Sequence, residues 1–383
     1  MHAHRREREQ GEEDVMTDMQ KYGFLSPSPI ILLKPPYAHL SELVQCLPEL
    51  ISLGATVLRR ELEHLPLFDA RTGDEREFRA LMREYHFLQN VYVHSDIGNK
   101  VVSATLAVPS FLLAEALSRG RYHVPPVLSY SSVVLNNWKL IDECKPFAFE
   151  NIQPIVTFTG TNDEQGFLAV HIAIEWQMRV TLSMYEVLKK HLRNGKRSTV
   201  FDCLHVLTEI LRVMNAILAK MPRACEPHVY YSRIRPWLMS FKDVELTGVS
   251  RYATTHSFPG ASGAQSSTLP WFDAVLGIEH KPSRASAYME KLQNHMPPEH
   301  RELIERAGHA LSVRDYVSAR NTDRALKDAY NVCVMGVLAF RRAHSSLAAQ
   351  YVHAYDPGMR GTGGSYFEEL FSQYASDTEA ALL

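Results

Sequence analysis

Four stretches of this chain carry apolar residues at helical spacing without an intervening proline: Phe167 to Leu192, Ser198 to Met221, Ser283 to His295 and Arg324 to Val352. Such recurrence marks helices with one buried face. Several of them in series, with no strand-like alternation, predict an α-helical bundle. The chain before them has another texture. From Ser26 to about Pro154, prolines such as Pro27, Pro35, Pro48, Pro109 and Pro125 break the pattern into short apolar pieces, with helix-like runs at Leu40 to Leu47 and Glu75 to Asn90. The expected architecture is mainly α: a smaller mixed, mostly helical domain over residues 21–153, then a large all-helical domain over 154–383. Residues 1–20 are dense in charge and are expected to form a disordered tail. Two irregular stretches rich in Gly, Ser and Thr, Thr247 to Leu269 and Tyr355 to Ser365, interrupt the helical part. Loops of that length inside a compact domain are usually functional.

Composition narrows the classes. With 383 residues and 45% apolar content the chain can bury a large core. A net charge of -2 gives no electrostatic case for a nucleic-acid or anionic-membrane partner. No apolar run reaches the roughly 18 residues that a spanning helix needs. The five cysteines (Cys46, Cys144, Cys203, Cys225, Cys333) are scattered and form no CxxC pair. They argue against a disulfide framework or a thiolate zinc site. The start of the chain has neither an apolar signal core nor a transit-peptide composition, so the expected location is the cytoplasm.

Chemistry is concentrated at four places. In the last long helix His344 follows Arg341 by three residues, which puts imidazole and guanidinium on one helical face. Val337, Phe340, Ala348 and Tyr351 share that stripe, and small residues around His344 leave room for a flat ligand. Such a histidine is either a core residue satisfied by a carbonyl or a metal ligand; a haem iron with a propionate on the arginine would suit the pair. The segment Phe258 to Ser267 offers glycines and hydroxyls, yet matches no dinucleotide, phosphate-loop or nucleophile-elbow pattern. Arg235 sits among aromatic and apolar neighbours, where a cation must be paired either by a protein carboxylate or by a ligand. Gly361 to Gly364 is a glycine-rich loop, either linker or lid.

The segments Ser129-Tyr130, Asn137-Trp138-Lys139, Gly166-Phe167, Ser232 to Arg235, Phe258 to Ser267, Phe272-Asp273, Leu276-Gly277-Ile278, Met296-Pro297-Pro298, Arg314 to Val317 and Gly361 to Gly364 resemble indoleamine 2,3-dioxygenases in order and spacing. The resemblance runs from about Leu25 to the end. It implies a haem-binding helical domain and insertion of both atoms of O2 across the indole C2–C3 bond of L-tryptophan or a related indoleamine. It also implies haem b as cofactor, O2 as co-substrate, an external electron donor that keeps the iron ferrous, and a monomer. By the same resemblance His344 is the iron ligand, Arg341 the propionate partner and Asp273 the carboxylate that supports the environment of His344. Arg235 then clamps the substrate carboxylate, and Phe167 stacks near the indole. Tyr130, Tyr230, Tyr231, Ala261, Ser262 and Gly263 wall the pocket, Val133 forms its outer wall beside the cofactor, and Thr362 belongs to the lid.

The chain departs from the mammalian pattern at His171, where serine is familiar. Lying one turn after Phe167, His171 resembles the distal histidine of tryptophan 2,3-dioxygenases that accepts the indole N–H. It would favour an unsubstituted indole nitrogen, unless the ring points away into the bundle. The expected catalytic residues are therefore His171 and Ser262. The alternative is a non-catalytic oxygen-binding or haem-sensing relative of the same fold, against which retention of Arg235, Phe167, Ser262 and Thr362 argues.

Overall fold

A computed structural model describes residues 15–65, 74–96, 98, 100–249, 255–358, 360–364 and 367–383. The protein is mainly helical, as the apolar spacing predicts. Residues 15–22 form α1, followed by α2 (Ala38–Gln45), α3 (Leu47–Ser52), α4 (Ala55–Glu63), α5 (Glu75–His94) and α6 (Ala104–Leu117). Then come α7 (Asn162–Asn194), α8 (Arg197–Leu218) and the one-turn pieces α9 (Met221–Ala224) and α10 (Pro227–Val229). The last six are α11 (Thr268–Leu276), α12 (Arg284–Gln293), α13 (Pro298–Gly308), α14 (Val313–Ser318), α15 (Arg324–Ala348) and α16 (Phe367–Glu379). Single π-helical turns occur at Ser131–Leu135, Tyr230–Ile234 and Ala349–His353.

Local chemistry explains where the long helices start and stop. The Thr161 hydroxyl caps α7 by accepting from Glu164 N–H, while the buried Glu164 carboxylate accepts from the Phe158 and Thr159 amides at 2.8 and 2.6 Å. Gly195, at φ 70°, ends α7 in the left-handed conformation that glycine adopts without penalty. Asp323 caps α15 through Leu326 N–H and also binds Arg197 at the start of α8. Further along, Gly336 of α15 meets Leu211 of α8, where an added Cβ would lie 3.1 Å from the leucine. With starts and midpoints matched, α8 and α15 run side by side in one direction, and α7 folds back on α8 through a short turn.

Two expectations change. The tail ends earlier than residue 20, because 15–22 are helical and Met19 is buried in the core; residues 1–14 lie outside the described residues. The absence of strand alternation is also corrected. A three-stranded sheet joins β1 (Val101–Val102), parallel to β4 (Phe241–Leu246), with β5 (Thr255–Phe258) antiparallel on its other side. A two-stranded ribbon pairs β2 (Lys139–Leu140) with β3 (Ile152–Gln153). Part of the irregular stretch expected from Thr247 is therefore strand, and its residues 250–254 lie outside the described residues, as do 359 and 365 of the second stretch. The buried apolar residues of both expected domains form one continuous cluster, from Met19 to Ala381.

One seam within that cluster is polar. His86 bonds Ser132 at 3.1 Å, His300 bonds Ser267 at 3.0 Å, and His295 is buried nearby. Burial pushes their imidazoles down, to about 3 for His86 and about 4 for His295 and His300. A histidine held neutral in the fold but free to protonate near pH 6.5 once unfolded contributes stability that is fully present above pH 6.5 and lost as pH falls toward 4. Replacing His300 by glutamine should remove one such group. The unfolding free energy of wild type relative to His300→Gln should then fall by about 1.4 kcal/mol per pH unit between pH 6.5 and 4 in denaturant titrations. A difference that stays flat with pH would show that His300 is protonated in the fold.

Candidate active site

The long helices α7 and α15, the Tyr230 turn, the 262–268 segment and α16 enclose a cavity. From α7 come Phe167, His171 and Glu175, each about one turn apart and so on one face. From α15 come Phe340, Arg341 and His344, the stripe read from the sequence. Two glycines let these elements approach. A Cβ on Gly166 would collide with the Ala224 carbonyl, and one on Gly260 with the Leu238 carbonyl. Gly260 thereby seats the Ser262 loop directly on the turn that carries Arg235.

His344 faces the cavity, with Phe371 of α16 edge-on at 5.1 Å. Burial, reinforced by His171, lowers its pKa to about 4, so the imidazole is neutral. Among the described residues no group hydrogen-bonds either ring nitrogen. A neutral imidazole with an uncommitted lone pair is what an iron or other metal ion requires. His171 also lines the cavity. Its Nδ1 donates to the Phe167 carbonyl at 2.8 Å, since that oxygen can only accept. Burial lowers its pKa as well, which leaves Nε2 as a bare acceptor.

Arg235 is 3% exposed and lines the same cavity. It donates to the Arg360 carbonyl at 2.5 Å and to Met239 Sδ at 2.9 Å, and lies over the Tyr231 ring. Among the described residues its Nε has no partner and no carboxylate pairs with it. The loop that supplies the Arg360 carbonyl is itself tied down: Thr362 Oγ1 donates to the Ala261 carbonyl at 2.7 Å, and Gly260 N–H donates to the Thr362 carbonyl.

Asp273 lines the same cavity as His344 and meets it through other residues. The Asp273 carboxylate is engaged by Arg341 at 2.6 Å and by His280 at 3.0 Å, not by His344. Burial would raise its pKa, but Arg341 and His280 outweigh that and hold it below the ordinary range. Arg341 further donates to Thr378 Oγ1 of α16. It therefore ties the cavity wall to the last helix.

Of the residues expected from the sequence, Tyr130, Phe167, His171, Tyr230, Arg235, Ser262, Gly263, Asp273, Arg341, His344 and Thr362 line this one cavity. Val133, Tyr231 and Ala261 stand outside its lining. Val133 is buried in the core, Tyr231 stacks on Tyr355 at 4.7 Å, and Ala261 meets the site through its carbonyl. Sequence reasoning passed over Glu175, Phe371 and Tyr374. Glu175 follows His171 by four residues, so helical spacing alone would have found it.

Among the described residues no group of three or more His, Cys, Asp or Glu is arranged to hold a metal ion. The His344 imidazole and a wall arginine in one cavity are residues that fit a haem, which needs a single protein ligand on its iron. Residues 17–356 match the family model described as indoleamine 2,3-dioxygenase, which sets the protein among the dioxygenases. The chain is similar to the indoleamine 2,3-dioxygenase of Saccharomyces cerevisiae, 31% identical over 90% of this chain and 80% of the relative. It is similar also to indoleamine 2,3-dioxygenase 2 of Mus musculus, at 28% over 95% and 94%, and to a 6-hydroxytryptophan 2,3-dioxygenase of Fusarium equiseti, at 27% over 89% and 86%. The protein is thus an enzyme that belongs to the indoleamine 2,3-dioxygenase family.

The close seat of the Ser262 loop gives a structural test. Gly260→Ala should destabilise the fold by about 1–3 kcal/mol through the clash with the Leu238 carbonyl. A melting temperature equal to wild type would mean that the loop does not rest on the Arg235 turn.

Proposed function

We propose that the protein is a haem-dependent dioxygenase that inserts both atoms of O2 across the C2–C3 bond of the indole of L-tryptophan, giving N-formylkynurenine, the first step of the kynurenine pathway. One observation carries this reading: a buried guanidinium that no carboxylate of the described residues pairs with shares a cavity with a neutral histidine that no described residue hydrogen-bonds. A buried cation is stabilised by acquiring an anion, and a planar guanidinium suits the two oxygens of an amino-acid carboxylate.

His344 would hold the haem iron and Arg341 a propionate; the bound haem supplies the oxygen chemistry. The rest is positioning. Arg235 binds the substrate carboxylate, Phe167 and Tyr230, with ring centroids 4.8 Å apart, form the aromatic wall for the indole, and His171 Nε2 accepts the indole N–H. Ser262 accepts from Ala264 N–H, which leaves its own hydroxyl proton for a ligand. Thr362 holds the 360–364 loop over the cavity and keeps water out. An oxygen carrier needs His344 but has no use for a carboxylate clamp. The reading extends to a cytoplasmic monomer served by an external electron donor. The unpaired state of all five cysteines supports the reducing location alone.

His344→Ala should lose the haem absorbance on purification; a full haem complement in that variant would remove the ligand assignment. Arg235→Ala should keep the haem spectrum while raising KM for L-tryptophan about tenfold or more, the magnitude of a lost charged hydrogen bond; an unchanged KM would remove the clamp. Wild type should turn over 1-methyltryptophan poorly, because that indole cannot donate to His171, and His171→Ser should narrow the gap. Equal use of both substrates by wild type would place the His171 ring out of reach of the indole.

A further inference from the structure

One turn beyond His171, the cavity wall holds a carboxylate that the reading above leaves unused. Glu175 is fully buried, and three hydroxyls converge on it: Tyr130 Oη and Ser266 Oγ donate to Oε1 at 2.9 and 2.6 Å, and Thr268 Oγ1 donates to Oε2 at 2.8 Å. No cation among the described residues pairs with Glu175. Burial raises its pKa, and the three hydroxyls work against that rise. All four residues line the cavity.

A hydroxyl has one proton, and in its ionised form, which the three hydroxyl bonds favour, the Glu175 carboxylate only accepts. Tyr130, Ser266 and Thr268 have therefore all turned their protons toward Glu175. What these cavity-lining residues retain is oxygen lone pairs, of which Ser266 uses one for Thr268 N–H at 3.2 Å. His171, whose ring lies 6.0 Å from that of Tyr130, adds a further acceptor in Nε2. The wall formed by α7, the Tyr130 segment and the start of α11 thus presents acceptors without donors.

We infer that Glu175 is a positioning residue that fixes the polarity of this wall, so that the site favours indole substrates bearing a hydrogen-bond donor on the benzo ring over ligands of like shape that lack one. The inference rests on the proposed reading of the cavity as an indole site. Recognition by a wall of acceptors discriminates by hydrogen-bond direction as well as size. Hydroxyl and fluorine differ little in bulk, but only the hydroxyl donates.

The test is equilibrium dialysis of the haem-loaded enzyme against L-tryptophan and its 5- and 6-hydroxy and 5- and 6-fluoro derivatives. The hydroxy ligand should bind roughly two- to tenfold tighter than its fluoro counterpart at one of the positions, the range expected for one neutral hydrogen bond. In Glu175→Gln the amide can donate to Thr268 Oγ1 and turn that hydroxyl outward, so the ratio should fall toward one. Haem content and melting temperature report whether that variant is intact. Tyr130→Phe, which removes one lone-pair donor from the wall, provides a second variant with the same expected direction. Equal binding of hydroxy and fluoro ligands by wild type, with L-tryptophan still bound, overturns the inference and leaves the dioxygenase reading standing. An unchanged ratio in both intact variants overturns the role of Glu175. Failure to bind any of these ligands, L-tryptophan included, overturns both readings together.

Discussion

A cavity within a helical core persists only if the polar groups in its wall are held from behind, because an unpartnered buried polar group is destabilising and draws the wall inward. This protein meets that constraint almost everywhere. His171 is anchored by the Phe167 carbonyl, Glu175 by three hydroxyls, Arg341 by Asp273 and Thr378, and Thr362 by the Ala261 carbonyl. Each anchor crosses from one element to another or spans a helical turn, so the wall is rigid before any ligand enters. Among the described wall groups, His344 makes no hydrogen bond, and Arg235 Nε and Asp273 Oδ1 are left without a partner. Rigidity around a few uncommitted groups, the imidazole and the guanidinium edge that the proposed chemistry uses among them, is the arrangement expected of a preorganised site.

The legible part of the fold was the part governed by local periodicity. The run from Arg324 to Val352 announced a helix, its stripe placed Arg341 and His344 together, and both lie in the cavity. Phe167 and His171 were equally readable from their four-residue spacing. The sheet was not, because β1 is two residues long and β4 contains an irregularity between Phe241 and Val244 that breaks its alternation. Helix α1 was hidden by charge: its buried face is carried by few residues, among them Met19.

The site was legible in membership and less so in wiring. Asp273 was found, but its partners are Arg341, 68 residues away, and His280, seven residues away. The three hydroxyls on Glu175 come from 45, 91 and 93 residues away, and no local pattern encodes which of many hydroxyls will meet a given carboxylate. Tertiary hydrogen bonds of this kind are decided by how helices are docked, which the sequence expresses only through the whole core.

The three single π-turns lie at the cavity's borders: one follows Tyr130, one holds Tyr230 and leads into Arg235, and one holds Tyr351. A π-turn accommodates one extra residue within a helix, and one residue corresponds to about 100° of helical rotation. Loss or gain of a single codon at such a turn therefore swings a pocket side chain around its axis while the flanking helices keep their places. Descendants of this fold have three points at which the shape of the pocket can be revised by insertion or deletion rather than by substitution, and comparison between distant relatives is informative there in the gaps as well as in the letters.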